Sequence, residues 1–475
     1  MFIGKSTEIS RRAFMRRSSQ LAVMGAASSY ALGLAGIGEA AAFSSSGGYK
    51  ALVCVFLYGG NDHGNTIIPY DATNYARYSE IRGGSGEAGG GIALPRANLA
   101  ATVLNQPTEQ VLTDDMRLAM APTMPRLAQR FSEGAMAPLL NVGPLVVPLT
   151  KAQYDTGNNT SYPRPAKLFS HNDQQSTWQS SQPEGSRTGW GGRMADLAQA
   201  GNTNAMFTGI NASGNAVFMT GEQSLPYQVS SNGATLMSPL SRNRTYGSTA
   251  LKDHLQTVLT NHNGHVFGSD HAMTNARSIE YGAFVNNALE SSALATEFEA
   301  GNRLAGQLSV VARLIAARGS LGVTRQVFMV SAGGFDHHDG LIGSHEALLG
   351  QVDSALDSFY RSTVELGIAD QVTTFTASDF GRTLASNGDG TDHGWGSHHF
   401  IMGGAVNGGR FYGTAPEISV EGDDQVGQGR LLPSTSVDEY SATLARWFGV
   451  SASELPSVSP NIGNFGSPDL GFMRA

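Results

Sequence analysis

The sequence predicts an α/β fold with a central, mostly parallel sheet flanked by helices. Three observations carry this prediction. Apolar runs of strand length recur at Lys50–Leu57 (KALVCVFL), Val327–Val330 and Val372–Phe375, the pattern of strands buried on both faces. Each run ends in small residues and then an aspartate: Asp62, Asp336 and Asp379. Long helical patterns, Ser291–Arg318 and Ser344–Leu366, alternate with the last two runs, and strand–helix–strand units of this kind build parallel sheets.

The bulk properties narrow the class. With 475 residues, 40% hydrophobic and 15% charged, the chain is long enough for a large core in one domain or two. Its net charge of −8 comes without a basic patch, which argues against nucleic acid as a partner. The single cysteine, Cys54, lies inside a strand pattern, so neither an internal disulfide nor a cysteine-rich metal site is available.

Taken in order, residues 1–42 read as a twin-arginine signal peptide. Ser10-Arg11-Arg12-Ala13-Phe14-Met15-Arg16 precedes a weakly apolar stretch, Leu21–Ile37, and then Ala40-Ala41-Ala42, a small-residue cleavage site. The expected partner during export is the twin-arginine translocase, and the expected location is periplasmic or extracellular, with no stable membrane span. That leaves 43–475 as the folded part, beginning with a Ser/Gly-rich linker, Phe43–Gly48.

After the first strand, Met124–Met136 has helical spacing and Ala137–Val142 reads as the next strand. Gly189–Ala200 begins another helix, while residues 201–290 show weak periodicity and read as a loop-rich insert or cap. Its histidines, His254, His262, His265 and His271, lack consistent ligand spacing. His399–Met402 is a short strand, Gly408–Gly413 a turn or hairpin, and Val437–Phe448 a terminal helix.

The chemistry concentrates in SAGGFDHHD (Ser331–Asp339), ASDFGRT (Ala377–Thr383) and TDHGWGSHHFIMGG (Thr391–Gly404). Six of the 12 histidines fall between Ser331 and Gly404. Histidine with carboxylate suits zinc-like ions, and more oxygen shifts the choice toward manganese, magnesium or calcium. Aspartates at the carboxyl ends of neighbouring parallel strands converge on one crevice. Adjacent residues on a strand point to opposite faces, so one member of His337-His338, and one of His398-His399, is expected at an ion. Asp392 stands beside His393 and is expected to orient it.

On these motifs, together with LVCVFLYGGNDHGNTIIPY, FSHNDQQSTW and GWGGRMAD, the chain resembles the domain-of-unknown-function family 1501, twin-arginine-exported proteins in the alkaline phosphatase/sulfatase-like superfamily. The resemblance implies an alkaline-phosphatase-like sandwich with one or two divalent ions (Zn, Mn, Ca or Mg) at the strand ends. Carried over position by position, it implies Asp62, Asp336, His338 and Asp379 as ligands, completed by His393 or His398. Phe380 departs from the pattern, because the superfamily often has histidine directly after the later aspartate. The implied nucleophile is Ser170, next to His171, with Thr66 and Thr177 as alternatives. Arg382 would pair with a substrate oxyanion or with a neighbouring carboxylate.

The expected activity is metal-dependent hydrolysis of a phosphate or sulfate ester, on a small-molecule or glycan substrate. The competing expectation is a non-catalytic envelope or surface protein of the same fold with at most a structural metal.

Overall fold

The computed structural model describes residues 43, 48–84, 91–234, 239–240, 244–261 and 264–474. The proposed export signal, Ser44–Gly47 of the linker and His262 lie outside them. Among the described residues, nine strands form one sheet. They are β1 (Lys50–Tyr58), β2 (Met136–Gly143), β3 (Gly209–Asn211), β4 (Tyr227–Gln228), β5 (Arg325–Gly333), β6 (Val372–Ser378), β7 (Ser397–Met402), β8 (Tyr412–Gly413) and β9 (Thr435–Ser436). Their order is β8-β2-β7-β6-β1-β5-β3-β4, with β9 also pairing with β2. The strand β1 is central and parallel to both β5 and β6. The sheet is mixed only because β7 runs antiparallel to β2 and β6.

Alternation along β1 explains its unbroken apolar sequence. Val53, Val55 and Leu57 join a core with Leu308, Val311 and Phe359 from helices on one face. Leu52, Cys54 and Phe56 join Trp178, Trp190, Tyr440 and Phe448 on the other. A strand covered on both faces has no solvent side to make polar. Cys54 is buried and free, as expected for a small apolar filler.

The helical expectations hold for Pro125–Ser132, Trp190–Ala198, Leu341–Glu365 and Val437–Phe448. Two differ. The Ser291–Arg318 pattern becomes helical only from Arg303, because Gly301 adopts φ 83° and Asn302 caps the helix by accepting from the Ala305 amide. The 201–290 region contains helices Thr249–Thr260 and Val266–Glu290 besides short strands. No described residue of the first is buried, although Leu251, Leu255, Val258 and Leu259 recur at helical spacing.

Candidate metal centre

The loops leaving β1, β5 and β6 meet at the carboxyl edge of the sheet. Gly59 is what allows the first two to touch. Its φ is 116°, and a Cβ there would lie 2.5 Å from the Asp336 amide nitrogen, so any larger residue would push the loops apart. The Gly59 amide in turn donates to Asp379 Oδ2 at 3.2 Å.

Three histidines and Asp336 converge here. His338 Nε2 lies 2.9 Å from His393 Nε2 and 3.2 Å from Asp336 Oδ1. His393 Nε2 is 3.3 Å from the same Oδ1, and His171 Nε2 is 3.3 Å from Asp336 Oδ2. Ligand atoms of His171, Asp336 and His393 all lie within 4.8 Å of one another. Tetrahedral ligands at ~2.0–2.1 Å from an ion stand about 3.3 Å apart, close to the spacings seen.

Each imidazole is oriented through its other nitrogen. His393 Nδ1 donates to the Phe169 carbonyl at 2.7 Å, so its Nε2 presents a lone pair in the neutral ring. His171 Nδ1 bonds Asp379 Oδ2 at 2.6 Å, and His338 Nδ1 bonds Asp392 Oδ1 at 3.3 Å. Imidazoles held this way are typical of metal ligands. Lone pairs facing one another at 2.9 Å repel unless a proton or a cation sits among them. Asp379 is fully buried, with Oδ2 accepting from His171, Gln175 and Gly59 while Oδ1 has no partner. The donor chemistry and this unpaired oxygen fit a cation, and three imidazoles favour zinc or iron over calcium or magnesium.

The electrostatics agree. Burial would raise the Asp336 carboxyl, but the hydrogen bond and charge of Arg382, with His171 and His338, hold it below the usual range. His171 is raised, chiefly by its bond to Asp379 and against its partial burial. Burial lowers His393, opposed by the Phe169 bond. Phe380 is buried and forms the floor, its ring 4.8 Å from that of His171 and 4.6 Å from that of His393.

The remaining expected site residues supply none of these converging ligand atoms. Asp62 is fully buried and both its oxygens are taken by Arg82 at 2.7 Å. His398 Nδ1 accepts from the Asn141 amide at 3.1 Å, and its ring lies 5.1 Å from that of His63. His399 contacts Thr376 and Trp178. Asp379 touches His171 and orients it. Asp392 orients His338 instead of its neighbour His393.

Arg382 is buried, donating to Asp336 Oδ1 at 2.7 Å, Thr391 Oγ1 at 2.9 Å and the Gly59 carbonyl at 3.1 Å, and also to the Thr391 carbonyl. Those contacts commit it to the protein and away from a substrate oxyanion. Ser170 Oγ donates to Asp173 Oδ2 at 2.8 Å. Thr66 and Thr177 donate to backbone carbonyls.

Three participants carried little sequence signal. Phe169 contributes a backbone carbonyl, aimed by a positive φ of 72°. Arg82 lies beyond a helix from Asp62. Gln175, which bonds Asp379 at 2.8 Å, stands four residues after His171 on one helix, so i,i+4 spacing could have found it.

A family profile described as "Protein of unknown function (DUF1501)" matches residues 49–443. The chain belongs to the DUF1501 family. No curated protein matches this DUF1501 chain. Among solved structures it is similar to the lipoteichoic acid synthase LtaP from Listeria monocytogenes, at 8% identity over 86% of this chain and 74% of that one, with a TM-score of 0.31. Ps i-CgsB, in complex with k-i-k-neocarrahexaose, is 10% identical over 87% and 77%, with a TM-score of 0.34. A Bacteroides thetaiotaomicron protein, from a locus for metabolism of multiple glycosaminoglycans, is 10% identical over 86% and 74%, with a TM-score of 0.35. Likeness at that level leaves the function to the site itself. No helix among the described residues is long and apolar enough to cross a membrane.

Proposed function

We propose that this DUF1501 protein is an exported, metal-dependent hydrolase of phosphate or sulfate esters. The observation that carries the reading is the meeting of His338 Nε2, His393 Nε2 and Asp336 Oδ1 within 3.3 Å of each other. When bound, a zinc-like ion supplies Lewis-acid stabilisation of the charge that builds on an ester's oxygens. His171, His338, His393 and Asp336 hold it, and Asp379, Asp392 and the Phe169 carbonyl keep the three rings in place. Arg382 anchors Asp336 and joins the β1 and β5 loops.

The His338 side chain is 47% exposed, so the centre opens to solvent and to a substrate. Ser170 is the proposed nucleophile, with its hydroxyl held on Asp173 until a substrate displaces that bond. The substrate class is a small-molecule or glycan ester. Its selection is assigned to the 201–290 region and to the loops. Export through the twin-arginine translocase, on the Ser10–Arg16 signal, completes the reading.

The test is a screen of aryl phosphates, phosphodiesters and sulfate esters with metal-stripped and metal-loaded protein. Turnover that needs the ion and disappears in Asp336→Ala is expected. A loaded protein that turns over none of them contradicts catalysis and leaves the non-catalytic alternative with a structural ion. The commitment of Arg382 and Ser170 to protein partners favours that alternative.

A further inference from the structure

We propose that the centre takes a single divalent cation, because the Arg82 guanidinium permanently fills the place at Asp62 where a second would bind. The inference rests on the metal reading above and concerns how many ions the site holds. Asp62 leaves the end of β1 as Asp336 and Asp379 leave β5 and β6, and the two-ion arrangement implied by the sequence needs it as a ligand. Its carboxylate is instead closed in a bidentate pair, Nη1 to Oδ2 and Nη2 to Oδ1, both at 2.7 Å. Both side chains are completely shielded from solvent. The Gly64 amide adds a third donor to Oδ1 at 3.1 Å.

The surroundings are built for the guanidinium. Arg82 Nη1 also donates to Asn65 Oδ1 at 3.0 Å, and Tyr78 donates to the same oxygen at 2.6 Å. A Cβ on Gly64 would lie 2.3 Å from Arg82 Nη2, so glycine there is what makes room for the group. The other titratable groups acting on Asp62, which are His345, His63, His337 and Tyr78, add no negative charge that a second cation could use. A divalent ion at Asp62 would therefore share one carboxylate with a fixed positive charge in a dry interior, where unbalanced charge is most costly. Burial alone would raise the Asp62 carboxyl; Arg82 outweighs it and keeps it ionised. The free Oδ1 of Asp379 is a single oxygen and does not make a second site alone.

The experiment counts ions. Full-length protein is stripped, loaded with Zn²⁺ or Mn²⁺ alone, desalted and analysed for metal per folded chain. Three proteins are compared: the natural sequence, His393→Ala, and the double variant Asp62→Leu/Arg82→Met, which removes the ion pair without leaving a buried charge. One ion is expected in the natural sequence and the double variant, and none in His393→Ala. Two ions in the natural sequence overturn the inference, whether or not the double variant folds. A double variant that melts like the natural protein but has lost an ion also overturns it. No ion in the natural sequence instead defeats the metal reading beneath it.

Discussion

His171 Nδ1 and Asp379 Oδ2 lie 2.6 Å apart although 208 positions separate them in the chain. That bond sets which nitrogen of His171 faces Asp336. Replacing the carboxylate with an amide leaves the shape but weakens both the orientation and the basicity of the ring. Asp379→Asn is expected to lower divalent-metal affinity by about 10–100-fold, measured by competition with a chromophoric chelator. Unchanged affinity would show that His171 does not need Asp379.

Arg82 is expected to matter for folding more than any surface arginine. Arg82→Ala would leave Asp62 ionised in a site with no access to water, a cost of about 3–5 kcal/mol. Denaturant titration should show that loss. A change under 1 kcal/mol would mean that water reaches Asp62.

Acid should unfold the protein through its buried histidines. Burial lowers His63 and His345 to about 4 and His399 to about 3, from 6.5. Their folded forms resist the proton that the unfolded chain accepts. Stability is therefore complete above pH 6.5 and falls as pH drops toward 4, by up to about 3 kcal/mol for each group. Melting temperature across that window checks it; a flat profile would contradict the buried neutral rings.

Asp438 has the opposite sign. Burial raises it from 3.8 to about 6, against hydrogen bonds from Asn461 and the charge of Arg193. The folded chain holds the proton more tightly, so this group's contribution falls as pH rises from about 4 to 6, by about 3 kcal/mol in all. The difference in stability between the natural protein and Asp438→Asn, followed from pH 4 to 8, isolates it from the histidines. Asp438→Asn should gain relative to the natural protein as pH rises; a constant difference would refute the assignment.

Much of the scaffold was legible because β1, β5 and β6 are buried on both faces, leaving apolar runs that end abruptly at glycine and aspartate. Of the pair His337-His338, one member of which is expected at an ion, His338 enters the cluster and His337 is buried. Of the pair His398-His399, both members are buried and bond to other partners. Spacing could not reveal that Asp62 belongs to Arg82, because the two meet across a loop and a helix with no periodic relation. Nor could it reveal the Phe169 carbonyl, since a backbone oxygen leaves no trace in side-chain chemistry.

The most direct measurement is an anomalous-scattering map at the metal edge from crystals of zinc- or manganese-loaded protein. The account predicts one peak about 2.0–2.2 Å from the Nε2 atoms of His338 and His393 and from the Asp336 carboxylate, with His171 closing the set. An empty position there after loading, or a peak at Asp62 in its place, would contradict it.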